Sequence, residues 1–109
     1  MRTIGHFIGG REVEGQSGRF ADVFIPMTGE VGAKVALASA AEVRAAVENA
    51  KAAQPAWGAT NPQRRARVLM KFLELVQRDF DSLAELLARE HGKTIPDARG
   101  DIQRGLEVI

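Results

Sequence analysis

No cysteine occurs among the 109 residues. That absence excludes a disulfide framework, a zinc-thiolate site and a thiol nucleophile within this stretch, and it fits an intracellular setting. Net charge is nearly absent as well, since 15 basic and 14 acidic residues leave +1. No field of one sign is available to hold nucleic acid or anionic lipid, and neither is expected as a partner. No segment approaches the roughly 18 apolar residues of a membrane span. The start, Met1-Arg2-Thr3-Ile4-Gly5-His6, lacks the apolar stretch of a signal peptide, so a cytoplasmic location without membrane association is the expectation. Histidine is scarce: His6 and His91 stand far apart in the numbering and share no helical two-ligand spacing, so no metal site is expected. The chain also lacks a Gly-x-Gly-x-x-Gly stretch, because Gly100 and Gly105 flank four residues inside a helical pattern with no strand before them. This stretch is therefore not expected to hold a dinucleotide phosphate, and it offers no catalytic residue.

What is present is one domain's worth of chain, 45% apolar, able to bury a modest core but small for a complete enzyme of most classes. Residues 1–38 carry the pattern of a small antiparallel β region. His6-Phe7-Ile8 and Arg11-Glu12-Val13-Glu14 flank Gly9-Gly10, a pair suited to a hairpin turn that needs positive φ. Alternation resumes from Arg19 to Ile25, breaks at Pro26-Met27-Thr28-Gly29, and returns through Val31, Ala33, Val35 and Leu37. Residues 39–109 read as three helices. Ser39 with Glu42 matches a capping box, and Val43, Ala46, Val47, Ala50 and Trp57 share a side of a helix expected to end near Pro55. Asn61-Pro62 opens a second helix, marked by Leu69, Phe72, Leu73, Val76, Phe80, Leu83 and Leu87, running up to His91. Gly92 sits where a left-handed residue would end it, and Thr94 with Asp97 opens a third. Ala98, Ile102, Gly105, Leu106 and Ile109 lie on one side of that last helix, which is still apolar and uncapped at Ile109. The stretch reads as a portion of a longer protein.

Three sets of residues invite a chemical reading. Gly92-Lys93-Thr94 has the end of a phosphate-binding P-loop, but Leu87 stands where the first glycine is required, and the tripeptide leaves a helix rather than entering one. A helix C-cap explains it, with Lys93 close to the last carbonyls of the helix before it. Arg64, Arg65 and Arg67 place three cations in the first turns of a helix, against its dipole; solvated or salt-bridged side chains are the plain account, and an anion-binding patch is the alternative. Arg104 stands out because it lies beside Gly105 and on the side of its helix that carries Gly100. Each glycine costs a helix about 1 kcal/mol relative to alanine, which a close approach to the backbone would explain. An arginine at such a place is able to fork onto a carboxylate through two parallel hydrogen bonds; an exposed or structurally paired arginine is the competing account.

Taken in order, Phe7-Ile8-Gly9-Gly10, Pro26-Met27-Thr28-Gly29-Glu30-Val31, the helix over residues 46–53, Trp57, Arg64-Arg65-Ala66-Arg67-Val68-Leu69 and Glu90-His91-Gly92-Lys93 resemble the N-terminal part of the aldehyde dehydrogenase superfamily. Gly18-Arg19-Phe20-Ala21-Asp22-Val23, Asn61-Pro62-Gln63-Arg64-Arg65-Ala66-Arg67-Val68-Leu69 and Gly100-Asp101-Ile102-Gln103-Arg104-Gly105-Leu106-Glu107 look most like its CoA-acylating methylmalonate-semialdehyde dehydrogenases. Ile25 and Met27 depart from the family pattern, which usually has asparagine and a small residue at those places. The resemblance implies an α/β fold, with this portion belonging to the NAD-binding domain. It further implies a homo-oligomeric enzyme that oxidises a small semialdehyde with NAD and passes the acyl group to coenzyme A. It implies that Arg104 contacts the substrate carboxylate, and that the portion alone is inactive because the nucleophilic cysteine lies elsewhere. A general aldehyde dehydrogenase fragment and a stand-alone helical interaction module are the other readings.

Overall fold

A computed structural model describes all of residues 1–109, which divide into two units. The first comprises Met1–Phe24 and Gly29–Ala59; the second comprises Ile25–Thr28 and Thr60–Ile109.

In the first unit, strands β1 (Arg2–Ile4), β5 (Val31–Ala36) and β4 (Phe20–Phe24) form one sheet in the order β1-β5-β4. Strands β2 (His6–Ile8) and β3 (Arg11–Val13) form a separate hairpin, with His6 opposite Val13. Its turn is the expected glycine pair, at φ of 64° and 77°, values that side chains with a Cβ rarely adopt. The sheet corrects one expectation. β4 runs antiparallel to β5, with Val23 opposite Ala33, but β1 runs parallel to β5, with Arg2 opposite Ala33 and Ile4 opposite Val35. A parallel partner needs a long connection, and here the hairpin and β4 supply it.

Helix α1 (Ala40–Ala59) begins on the expected capping box. Glu42 N–H donates to Ser39 Oγ at 3.1 Å, while Ser39 N–H donates back to Glu42 Oε2 at 2.7 Å. The other carboxylate oxygen accepts Gln16 N–H at 2.6 Å, which ties the loop after β3 to the start of the helix. Those backbone donors, Ser39 first and Gln16 next, hold the Glu42 carboxyl below its ordinary value of 4.5. Its folded pKa thus lies below the unfolded one, so its stabilisation is complete above the ordinary carboxylate range and is lost as pH falls through the lower folded value. Acid unfolding of Glu42→Gln, followed by circular dichroism, is expected to show a shallower loss of stability below about pH 5 than the parent chain. Identical acid limbs would show that Glu42 contributes nothing to that slope.

The end of α1 differs from the sequence reading, because the helix continues through Pro55 to Ala59. Proline there forfeits the bond to the Lys51 carbonyl and crowds that oxygen, and the alanine-rich flanks carry the helix onward.

In the second unit, the long helix expected from Pro62 to His91 is two helices, α2 (Pro62–Arg78) and α3 (Phe80–His91), so residues 39–109 hold four helices rather than three. The break is at Asp79, with φ −100° and ψ 17°. Arg78 forks onto its carboxylate at 2.8 and 2.9 Å, and the hydroxyl of Ser82 donates to its carbonyl at 2.9 Å. Polar partners on both sides thus stabilise a non-helical residue where the apolar pattern runs on unbroken. The start of α2 is as expected, with Gln63 N–H donating to Asn61 Oδ1 at 2.8 Å.

The core is made of alanine. Ala33 and Ala36 are buried in the first unit, and Ala84 and Ala98 are fully buried in the second; no large side chain is fully buried in either. The apolar face expected on α1 stays open, with Val43 and Val47 more than half exposed, and α2 likewise buries nothing. Large apolar side chains stay exposed in both units, among them Phe7 and Phe24 in the first and Leu69 and Phe72 in the second.

Candidate functional site

The junction of α3 with α4 (Ile95–Val108) carries the densest set of charged contacts in the second unit. α3 ends as the sequence predicts: Gly92 is left-handed at φ 78°, and its N–H donates to the Ala88 carbonyl at 2.8 Å. Two residues later Thr94 caps α4, its Oγ1 accepting Asp97 N–H at 3.4 Å and its carbonyl accepting Ala98 N–H at 3.0 Å. α3 and α4 pack together, and Ala98 is fully buried on α4.

On α4, Asp101 and Arg104 are three residues apart and so share a face. One Asp101 oxygen, Oδ1, accepts from the Arg104 guanidinium, and the other, Oδ2, accepts from Lys93 Nζ. Lys93 was expected near the last carbonyls of α3; instead its ammonium meets a carboxylate on the next helix. Exposure rises along the row, from 17% for the Lys93 side chain through 33% for Asp101 to 69% for Arg104. Hydrogen bonds from Lys93 first, then Arg104, hold the Asp101 carboxyl below the usual carboxylate range, so it stays ionised at neutral pH. The row as a whole is therefore one charge positive. Arg104 uses one amino group on Asp101 and keeps further N–H donors facing solvent.

The two glycines flanking Arg104 differ in their surroundings. A Cβ on Gly100 would lie 3.5 Å from the Arg104 guanidinium, an ordinary contact, whereas one on Gly105 would meet nothing within 4 Å. Gly100 thus gives the guanidinium a flat seat on the helix backbone. Nothing in the structure explains Gly105.

The other sequence candidates do not join this site. Arg64 and Arg67 are exposed on α2; Arg65 is half-buried, and its Nε has no hydrogen-bond partner. His6 sits in the first unit, 3.8 Å from Glu42, and no group of three metal-ligating side chains is assembled anywhere. No helix is long and apolar enough to cross a membrane. Sequence reasoning named Arg104 and missed Asp101 and Lys93 as its partners. The three-residue spacing of Asp101 and Arg104 was a readable signal, but the Lys93 contact, across a glycine turn, was not.

A family model described as "Aldehyde dehydrogenase family" matches residues 13–109. The chain belongs to the aldehyde dehydrogenase family. Two curated members give the scale of the similarity. The malonate-semialdehyde dehydrogenase of Pseudomonas aeruginosa is 44% identical over 109 residues, which is all of this chain and 22% of that protein. The acylating mitochondrial methylmalonate-semialdehyde dehydrogenase of Arabidopsis thaliana is 47% identical over 106 residues, 97% of this chain and 18% of the relative. Among solved aldehyde dehydrogenases, an NAD complex of a protein assigned as a methylmalonate-semialdehyde dehydrogenase from Sinorhizobium meliloti 1021 matches with a TM-score of 0.94 and 64% identity, over 99% of this chain and 22% of that one. The architecture is thus an N-terminal portion of the aldehyde dehydrogenase α/β fold, and the chain spans about a fifth of the length of these relatives.

The family implies a dinucleotide, and the residues present do not supply its seat. The one strand-to-helix junction, from β5 to α1, runs through Leu37-Ala38-Ser39 without a glycine. Its first-turn donors are partly taken by Ser39, and the Glu42 carboxylate stands where a phosphate would have to bind.

Proposed function

We propose that residues 1–109 are the N-terminal part of the cofactor-binding domain of an NAD-dependent, CoA-acylating dehydrogenase of malonate or methylmalonate semialdehyde, in which Arg104 binds the substrate carboxylate. What carries this reading is the guanidinium of Arg104: exposed, anchored at one amino group, and part of a row with net positive charge. A fixed fork of N–H donors suits a planar carboxylate. The names of the relatives support the substrate class.

In such an enzyme NAD takes up a hydride and coenzyme A takes up the acyl group, chemistry that falls to regions outside these residues. Alone, the chain is inactive, because it has no cysteine to attack an aldehyde. What it contributes is orientation, holding the charged end of the substrate so that the aldehyde end is presented elsewhere. Homo-oligomer formation and a cytoplasmic setting belong to the same reading. The exposed Phe7, Phe24, Leu69 and Phe72 are apolar surface for the rest of the protein or a second copy to cover.

The test is Arg104→Leu in the whole enzyme. The ratio of kcat/KM for malonate semialdehyde over that for propanal, an uncharged aldehyde of the same length, is expected to fall about 10–100-fold, the worth of a charge-assisted hydrogen bond. An unchanged ratio would remove Arg104 from the site.

A further inference from the structure

We propose that Lys93 is a positioning residue for a carboxylate-bearing aldehyde, acting through Asp101 to fix both the direction and the effective charge of the Arg104 guanidinium. The inference rests on the assignment of Arg104 to the substrate carboxylate.

Asp101 and Arg104, three residues apart on one helix, would by themselves form a neutral pair. A substrate carboxylate approaching that pair would find a cation already matched and an anion beside it. Lys93 changes the balance by engaging the second oxygen of Asp101. Asp101 is then shared between two cations, and one positive charge is left for a ligand. Exposure decides at which end that charge becomes available. Lys93 is the innermost member and Arg104 the outermost, so solvent-borne ligands meet the guanidinium first. The pair closer to the interior is also the less screened by salt.

Orientation comes from the same contacts. With a cation on each oxygen, Asp101 would have to give up one of them to swing toward an alternative donor. The Arg104 guanidinium is then held by one amino group and lies over the bare backbone of Gly100. Lys93 itself is placed by the turn that ends α3, directly after the left-handed Gly92. An arginine pre-set in this way loses less side-chain freedom on binding than a free one.

The experiment is a charge cycle in the whole enzyme, using Lys93→Met, Asp101→Asn, the double variant and Arg104→Leu, with malonate semialdehyde and propanal as paired substrates. Lys93→Met is expected to raise KM for malonate semialdehyde about tenfold with kcat and the propanal constants little changed, because Asp101 then neutralises Arg104. Adding Asp101→Asn to Lys93→Met restores the single positive charge and is expected to recover most of that loss. Lys93→Arg retains the cation and should leave the KM for malonate semialdehyde near that of the parent enzyme. A purely structural salt bridge predicts the opposite pattern, with both substrates affected alike and the double variant no better than the single one. If Lys93→Met does not fold, Lys93→Gln removes the same charge and serves in its place. The Arg104→Leu arm separates the two claims. No change in substrate preference there overturns the assignment of Arg104. A loss there, together with equal effects of Lys93→Met on both substrates, overturns the role of Lys93 alone.

Discussion

Replacing Gly5 with alanine is expected to destabilise the 109-residue chain by about 3 kcal/mol, the upper part of the range for forcing atoms into a packed site. Gly5 joins β1 to β2, and a Cβ there would run into the carbonyl oxygen of Val13. That oxygen is backbone, and it cannot rotate away as a side chain would. Val13 is also fixed by its pairing with His6 across the hairpin. Relief therefore requires the hairpin to shift, and a second close approach restricts that movement. Gly15, just beyond β3, would place a Cβ 2.5 Å from the Cβ of the buried Ala36. A loss of about 3 kcal/mol corresponds to a fall in Tm of roughly 10–20 °C for a chain of this size. Urea unfolding of the variant should show a lower midpoint at unchanged slope. A midpoint equal to that of the parent chain would mean that the joint between β1 and β2 relaxes at no cost.

Gly92→Ala is expected to cost about 2 kcal/mol for a different pair of reasons. The residue has φ of 78°, a conformation that costs an L side chain about 1–2 kcal/mol. A Cβ would also come within 3.0 Å of Pro26 Cβ, in the four-residue segment that belongs to the same unit. Asparagine separates the two contributions. It tolerates the left-handed region better than alanine but carries the same Cβ. If Gly92→Asn recovers at least half of the loss, backbone strain dominates; if it recovers none, Pro26 does. Full parent stability in Gly92→Ala would contradict both.

These two glycines show where the sequence was legible and where it was not. Local signals read well because their physics is local. The Gly9-Gly10 turn, the Ser39/Glu42 box, the Asn61 cap and the left-handed Gly92 each depend on residues within a few positions of one another. What failed was non-local or masked. The parallel pairing of Arg2–Ile4 with β5 could not be read from a strand with one aliphatic residue and a partner some thirty positions away. The break at Asp79 was masked because Phe72, Val76, Phe80, Leu83 and Leu87 keep a helical interval straight across it. Pro55 was over-read, since an interior proline weakens a helix without always ending it. The site followed the same rule. Arg104 was conspicuous beside its glycines, whereas Lys93 read as a capping residue because the fold alone brings it to Asp101.

The alanines that fill the centre of the helical unit bear on its entropy. Ala84 and Ala98 are fully buried and have no χ1 to sample, so ordering them costs essentially no side-chain freedom. A contact built this way has one arrangement, where leucines would offer several rotamer combinations of similar energy. The charged row is therefore mounted beside a contact whose centre offers no rotamers to choose among.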